Sequence, residues 1–281
     1  NIGIEKVEDF IDACHAISYQ VPRYPTDIID LSENKINFSI DKDEDEDEIF
    51  TSAQEYDILG FISAWGNHKE NWQKDIIEII RDEAYYFMPQ IRSKIMNEGW
   101  ACFWHYKILH ELDLPQSLHI PFLKSHNQVV RPHLGRINPY HIGFHLFNKI
   151  EKRHGLEECF IAREVHNDES FIRQYLTRED CEELNLFNYS SNDNGIFVDD
   201  VSDEEGWKNV KNTLISQVAG NSIPVIYADD IEFGNILILH HEFDGREIKL
   251  DYAEKVLNHV SHLWGSEVKL ITTVDNAPYE I

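Results

Sequence analysis

GIFVDDV (residues 195–201), WKNVKNTLISQVAG (207–220), IPVIYAD (223–229), NILILHHEF (235–243), DYAEKVLNHVSHLWG (251–265) and EVKLITTV (267–274) alternate between two kinds of apolar spacing. The first, third, fourth and sixth segments are short and rich in β-branched and aromatic residues, as strands are. The second and fifth repeat apolar residues every three to four positions, as helices do. The order is β-α-β-β-α-β. Its natural packing is a ferredoxin-like domain, in which two helices cover one face of a four-stranded antiparallel sheet. Most of the chain upstream has helical spacing, so the expected class is α+β: a mainly helical domain over residues 1–190, then a ferredoxin-like domain over 191–281.

Working back from that segment, Asn138 and Pro139 read as the N-cap and first-turn proline of a helix over about 139–153. Between Pro115 and Pro139, the prolines, histidines and glycine argue for an extended connector. Helical spacing returns at 90–112, where steps of four and three from Ile91 reach Ile95, Glu98, Cys102, His105, Leu109 and Leu112. A carboxylate and an imidazole thus share a face with apolar residues. Trp72, Ile76, Ile79, Ile80, Ala84 and Phe87 mark an earlier amphipathic helix that closes near Pro89. Val7, Phe10, Ile11, Cys14 and Ile17 mark another, stopped by Pro22 and Pro25.

The 281 residues are 42% hydrophobic, enough for at least one sizeable core. No apolar run approaches the roughly 20 residues of a membrane helix, and NIGIEKVEDF at the start lacks a secretion signal's pattern, so a soluble cytoplasmic protein is expected. Fifty-one acidic residues against 25 basic leave a formal charge of −26. Such a surface repels phosphate backbones and anionic membranes, which argues against nucleic-acid or membrane partners. Part of the excess is local: DKDEDEDE at 41–48 is too self-repelling to pack and reads as a solvated loop. Cys14, Cys102, Cys159 and Cys181 form no CxxC pair, so reduced, mostly buried thiols are expected rather than a disulfide scaffold or zinc ribbon.

Several side chains have the right type and spacing for chemistry. An ionised Glu98 on an apolar face must be paired, hydrogen-bonded or metal-bound, and His105 lies two turns along the same face. Either the two serve a site, or neighbouring helices satisfy them. His141 and His145 have the i, i+4 spacing of an HExxH metal helix, but Ile142, Gly143 and Phe144 between them leave out the catalytic glutamate. REVHNDESFIR at 163–173 is dense in titratable groups, which suits an acid/base or anion site built on His166, Asp168, Arg163 and Arg173, and equally suits a polar junction laced by ion pairs. His126, Arg131 and His133 can line a cleft, and His240, His241 and Glu242 end a strand. There is no GxSxG elbow, Walker loop or GxGxxG after a strand, which argues against serine hydrolases, P-loop NTPases and Rossmann enzymes.

Taken together, DEAYYF (82–87), MNEGWA (96–101), WHY (104–106), NPY (138–140) with Gly143-Phe144, REVHNDESFIR followed by YLT (175–177), Gly206-Trp207 and LWG (263–265) resemble the stage V sporulation protein R (SpoVR-like) family over nearly the whole chain. His141, His145 and the acidic run depart from that family's pattern. The resemblance implies a longer protein, with a missing part before Asn1 that carries an HxxGH-type histidine pair. By analogy with zincin-like metallopeptidases it implies that Glu98 is a ligand of zinc or another divalent metal, the remaining ligands lying outside this chain, with His105, His166 and Asp168 as catalytic acid/base or supporting groups. It also implies a role in spore cortex formation or stress physiology, and association with a PrkA-type serine kinase and a YeaH/YhbH-like protein. Three functions follow from these residues: a metal-dependent amide hydrolase, a non-catalytic regulatory scaffold for the kinase, or a small-anion binder using Arg163 and Arg173.

Overall fold

Helix α1 (Ile4–Ala16) follows the expected spacing and buries Phe10, Ala13 and Cys14. The computed structural model describes residues 3–22, 35–37, 49–51, 55–67, 70–133, 136–192 and 195–281; the acidic run at 41–48 lies outside them. Two short strands, β1 (Lys35–Asn37) and β2 (Ile49–Thr51), pair antiparallel. Helix α2 (Ile58–Trp65) is capped by Asp57, whose carboxylate accepts from the Gly60 amide at 2.9 Å. The same carboxylate holds the Arg81 guanidinium, with Nε at 3.0 Å. Burial, then the Asp57 charge, pushes the Tyr85 phenol up to about 12. Helix α3 (Asn71–Arg92) runs through Pro89 instead of closing there. The break falls at Ser93, whose hydroxyl donates to the Pro89 carbonyl at 2.8 Å.

The chain divides into two units, residues 1–88 with 223–281, and residues 89–222. In the first, β5 (Ile226–Glu232), β6 (Ile236–His241), β7 (Val268–Val274) and β8 (Ala277–Glu280) form a sheet in that order. β5 and β6 are antiparallel, with a register shift between Ala228 and Asp230. β6 and β7 are parallel neighbours, joined by the crossover helix α11 (Leu250–Trp264), which ends at a left-handed Gly265 with φ 85°. Asp275 and Asn276, at φ 50° and 60°, form the two-residue turn that folds β8 back on β7. Phe10, Phe61, Leu237, Leu239, Trp264 and Leu270 belong to one core, and the Trp264 indole donates to the Asn235 carbonyl at 2.7 Å.

The second unit contains α4 (Lys94–Glu111), α5 (Gln116–Val129), α6 (Pro139–His154), α7 (Leu156–Val165), α8 (Asp168–Tyr175), α9 (Arg178–Glu183), the hairpin β3 (Phe187–Asn192) and β4 (Gly195–Val201), and α10 (Trp207–Gln217). α6 starts as expected, with Pro139 in its first turn and Asn138 accepting from the Tyr140 amide at 3.1 Å. The core here is built on Phe103, Leu146, Phe147, Phe171 and Ile172.

The protein is α+β, a mainly helical N-terminal part followed by a four-stranded sheet with a helix between strands. The composition of that sheet corrects the ferredoxin-like expectation. β4 pairs with the adjacent β3 and stays with α10 in the second unit; the fourth strand is β8, and the sheet is mixed, not antiparallel. A neighbouring strand in sequence met β4's backbone needs locally, so no long-range pairing was required of it. The expected connector at 115–139 is a second correction, because α5 occupies most of it and tolerates Pro121 within the helix while burying Phe122 and His126 at i, i+4.

All four cysteines are buried and none is in a disulfide. Burial pushes the Cys159 and Cys181 thiols up to about 11. Among the described residues, no helix is long and apolar enough to cross a membrane.

Candidate functional site

Two helices meet backbone to backbone where α4 crosses α6. A β-carbon built on Gly99 would stand 2.4 Å from the Gly143 Cα, and one on Gly143 would stand 2.2 Å from the Ile95 carbonyl oxygen. Neither position admits a side chain, which is the physical reason for glycine in both NEGWA and the GF pair. The start of α4 is pinned from another direction: Asp168 is 1% exposed and accepts from the Ile95 amide at 2.8 Å and the Met96 amide at 2.9 Å. These are amides that a helix N-terminus leaves without intrahelical partners, and a negative charge suits that end. Burial pushes the Asp168 carboxyl up to about 6, against the opposing pull of the backbone donors.

Glu98 is half-buried beside this crossing. Its carboxylate acts on the Tyr140 hydroxyl; that interaction, with burial adding, holds the phenol above its ordinary range. Burial and the Glu98 charge together raise the Cys102 thiol. Among the described residues, no Lys, Arg or His forms an ion pair with Glu98. NEGWA and NPY, 42 positions apart from Glu98 to Tyr140, are therefore brought together as a carboxylate–phenol pair.

The other expected site residues are dispersed. His105 is exposed, not inward, and its ring lies edge-on to Phe122 at 5.5 Å. The shared face of α4 is buried at Ile95 and Cys102 but exposed at His105 and Leu112. His166 is half-buried, its Nδ1 3.1 Å from the Ser170 hydroxyl, and burial holds it below the ordinary histidine range. Asn167 and Ser170 form a capping box that starts α8. Of the two arginines in that run, Arg163 lies over the Trp100 ring at 5.4 Å and Arg173 pairs with Glu169 at 2.7 Å. His240 reaches Asp229 at 3.4 Å, and His241 bonds the Thr272 hydroxyl at 2.9 Å.

His141 and His145 do not converge. His145 Nε2 meets Asp180 at 3.1 Å, whereas His141 lines a cleft. Asp180 is the functional-looking residue that sequence reasoning missed. Fully buried, it also binds Arg153 through both carboxylate oxygens, at 2.8 and 3.1 Å, and the Thr177 hydroxyl at 2.7 Å. Burial alone would raise its pKa, but these donors outweigh it and hold the carboxyl well below the usual range. The Thr177-x-x-Asp180 spacing of a capping box was the available signal. Among the described residues, no group of three or more His, Cys, Asp or Glu is placed to hold a metal ion.

The comparisons with known proteins bear on this arrangement. The family described as "SpoVR like protein" matches residues 26–223, and "SpoVR-like C-terminal domain" matches 225–275. "Uncharacterized protein YcgB" of Escherichia coli (strain K12) is 30% identical over 95% of this chain and 64% of its own length. The chain therefore spans less than two thirds of that relative. No solved structure matches. Both family motifs that meet at Glu98 and Tyr140 fall within the first matched span, and the chain belongs to the SpoVR-like family.

Proposed function

We propose that Glu98 is one ligand of a divalent metal ion, zinc or a similar ion, in a zincin-like amide-hydrolase site whose remaining ligands lie outside this chain. The observation that supports this reading is a half-buried carboxylate with no cationic partner among the described residues, fixed in place by a backbone-to-backbone helix crossing. An ionised group so placed is costly unless something binds it. Its donor set fits one oxygen ligand, and no more than one, of such an ion. When bound, the ion supplies a polarised carbonyl and a water of lowered pKa.

The residues of this chain do the holding. Tyr140 engages the Glu98 carboxylate and so limits its rotation, the usual service of a group behind a ligand. Asp168 acts as a positioning residue, because it fixes the amides that begin the turn before Glu98. His105, two turns along α4 and open to solvent, is the better placed of the two histidines to exchange protons with substrate. An amide bond in a peptide or a peptidoglycan-derived molecule is the substrate class, in keeping with the cortex or stress role that family resemblance implies.

Metal content of the full-length protein and of its Glu98→Gln variant tests this. About one divalent ion per chain is expected in the wild type and a marked loss in the variant. Equal, empty content in both removes the reading.

A further inference from the structure

A cleft of about 690 Å³ opens within the second unit, with neither Glu98 nor Tyr140 in its lining. Its floor is apolar and continuous with the core: Ile142, Leu184, Val210 and Leu214 are all buried. Its polar side carries one cation, Arg136, beside His133 and His141, and burial holds the His141 imidazole below the ordinary histidine range. Among the described residues, none of those that line it is Asp or Glu, in a chain with 51 acidic residues against 25 basic. An arginine with no described carboxylate beside it marks the place where this acidic protein least repels an anion.

The backbone holds these side chains together. His133 and Arg136 are opposite partners in an antiparallel bridge, with the Arg136 amide donating to the His133 carbonyl at 3.4 Å. Directly opposed residues in such a bridge project to the same side. The segment leading to them is tied to the start of α6 by Asn138, 5% exposed, whose side-chain amide donates to the Val129 carbonyl at 2.9 Å and the Arg131 carbonyl at 2.7 Å. His141 follows one turn on, where burial outweighs the pull of the Val130 backbone on its imidazole. Arg136 itself makes no ion pair among the described residues, and its exposed guanidinium leaves its donors to solvent or to a ligand.

We propose that this cleft binds a small amphipathic organic anion, its carboxylate or phosphate head on Arg136 beside His133 and His141, its apolar body on the floor formed by Ile142, Val210 and Leu214. The volume lies in the range of small-molecule sites, and an apolar lining with a few convergent polar groups is how such sites orient a ligand. A guanidinium with free donors favours a planar or tetrahedral oxyanion over a neutral head. The site is independent of Glu98, so it stands whether or not that residue binds a metal.

The test is titration of the chain with n-octanoate and n-octyl phosphate, against octan-1-ol, octylammonium and inorganic phosphate, all below micellar concentration and followed by calorimetry. At least one octyl anion is expected to bind, with octanol, octylammonium and free phosphate at least about tenfold weaker. The comparison of octanoate with octyl phosphate tells which head is preferred. Arg136→Ala should weaken anion binding about tenfold at unchanged melting temperature, because Arg136 is exposed, and Arg136→Lys should restore part of it. Thr213→Trp, which fills the cleft, should abolish binding. Failure of both octyl anions to bind, octanol binding as tightly as they do, or an Arg136→Ala variant indistinguishable from wild type overturns the proposal.

Discussion

The starts of α8 and α9 each bury an aspartate almost completely, yet the two carboxylates are held in opposite ways. Asp168, at 1% exposure, receives only backbone amides, and burial pushes its carboxyl up to about 6. Asp180, at 0%, receives Arg153, His145 and Thr177 and is driven down. Backbone donors offset part of the desolvation of a carboxylate at Asp168; at Asp180 the His145 imidazole, the Arg153 guanidinium and Thr177 together reverse it. Glu98 is a third case, half-buried with a phenol and, among the described residues, no cation.

The comparison can be broken most forcefully at Asp180. Asp180→Ala leaves Arg153 and His145 without their buried partner, and a loss of about 3 kcal/mol in urea unfolding is expected. A loss below about 1 kcal/mol would mean that Glu179 and Glu183 already share the load. Asp168→Asn is next. An amide offers one acceptor oxygen where two amides need one each, so one donor at the start of α4 faces an NH2 group, for about 2 kcal/mol. The smallest effect is the dependence on pH, at most about 1.4 kcal/mol per unit for one proton. Asp168, with its folded pKa above the unfolded one, takes up its proton sooner when folded; from pH 7 down toward 4 the wild type should gain stability relative to Asp168→Asn. Asp180, with its folded pKa depressed, contributes stability above its unfolded pKa that is lost as pH falls toward the folded value; below about pH 4 the wild type should lose stability relative to Asp180→Asn. Curves of the same sign for both variants would abolish the distinction.

What could be read along the chain was whatever depends on near neighbours. Asn138 and Pro139 announced α6, the apolar spacing from Tyr252 to Trp264 announced α11, and GIFVDDV coincides with β4. Partnership was not legible, because it depends on segments far apart or weakly marked. β3 reads FNYSSN, without apolar alternation, and β8 is four exposed residues, although the Asp275-Asn276 turn before it was a usable sign. α5 forms across Pro121 because burial of Phe122 and His126 outweighs local propensity. For the site, periodicity placed Glu98 correctly on a partly covered face but overextended that face to His105, since burial on α4 concentrates near the glycine crossing. The Glu98–Tyr140 pairing required tertiary knowledge; the two motifs were visible separately, not as neighbours.

The Gly99–Gly143 contact has a mechanical corollary. With no side chain between the two backbones, rotamer exchange has nothing there to act on, and the spacing of α4 and α6 is set by peptide planes in van der Waals contact. Thermal jitter that would blur a leucine-packed junction is suppressed at the one place where a carboxylate from one helix must meet a phenol from the other. Tolerance is correspondingly narrow: a single methyl at either glycine would wedge the helices apart, and it would separate Glu98 from Tyr140 without altering either residue.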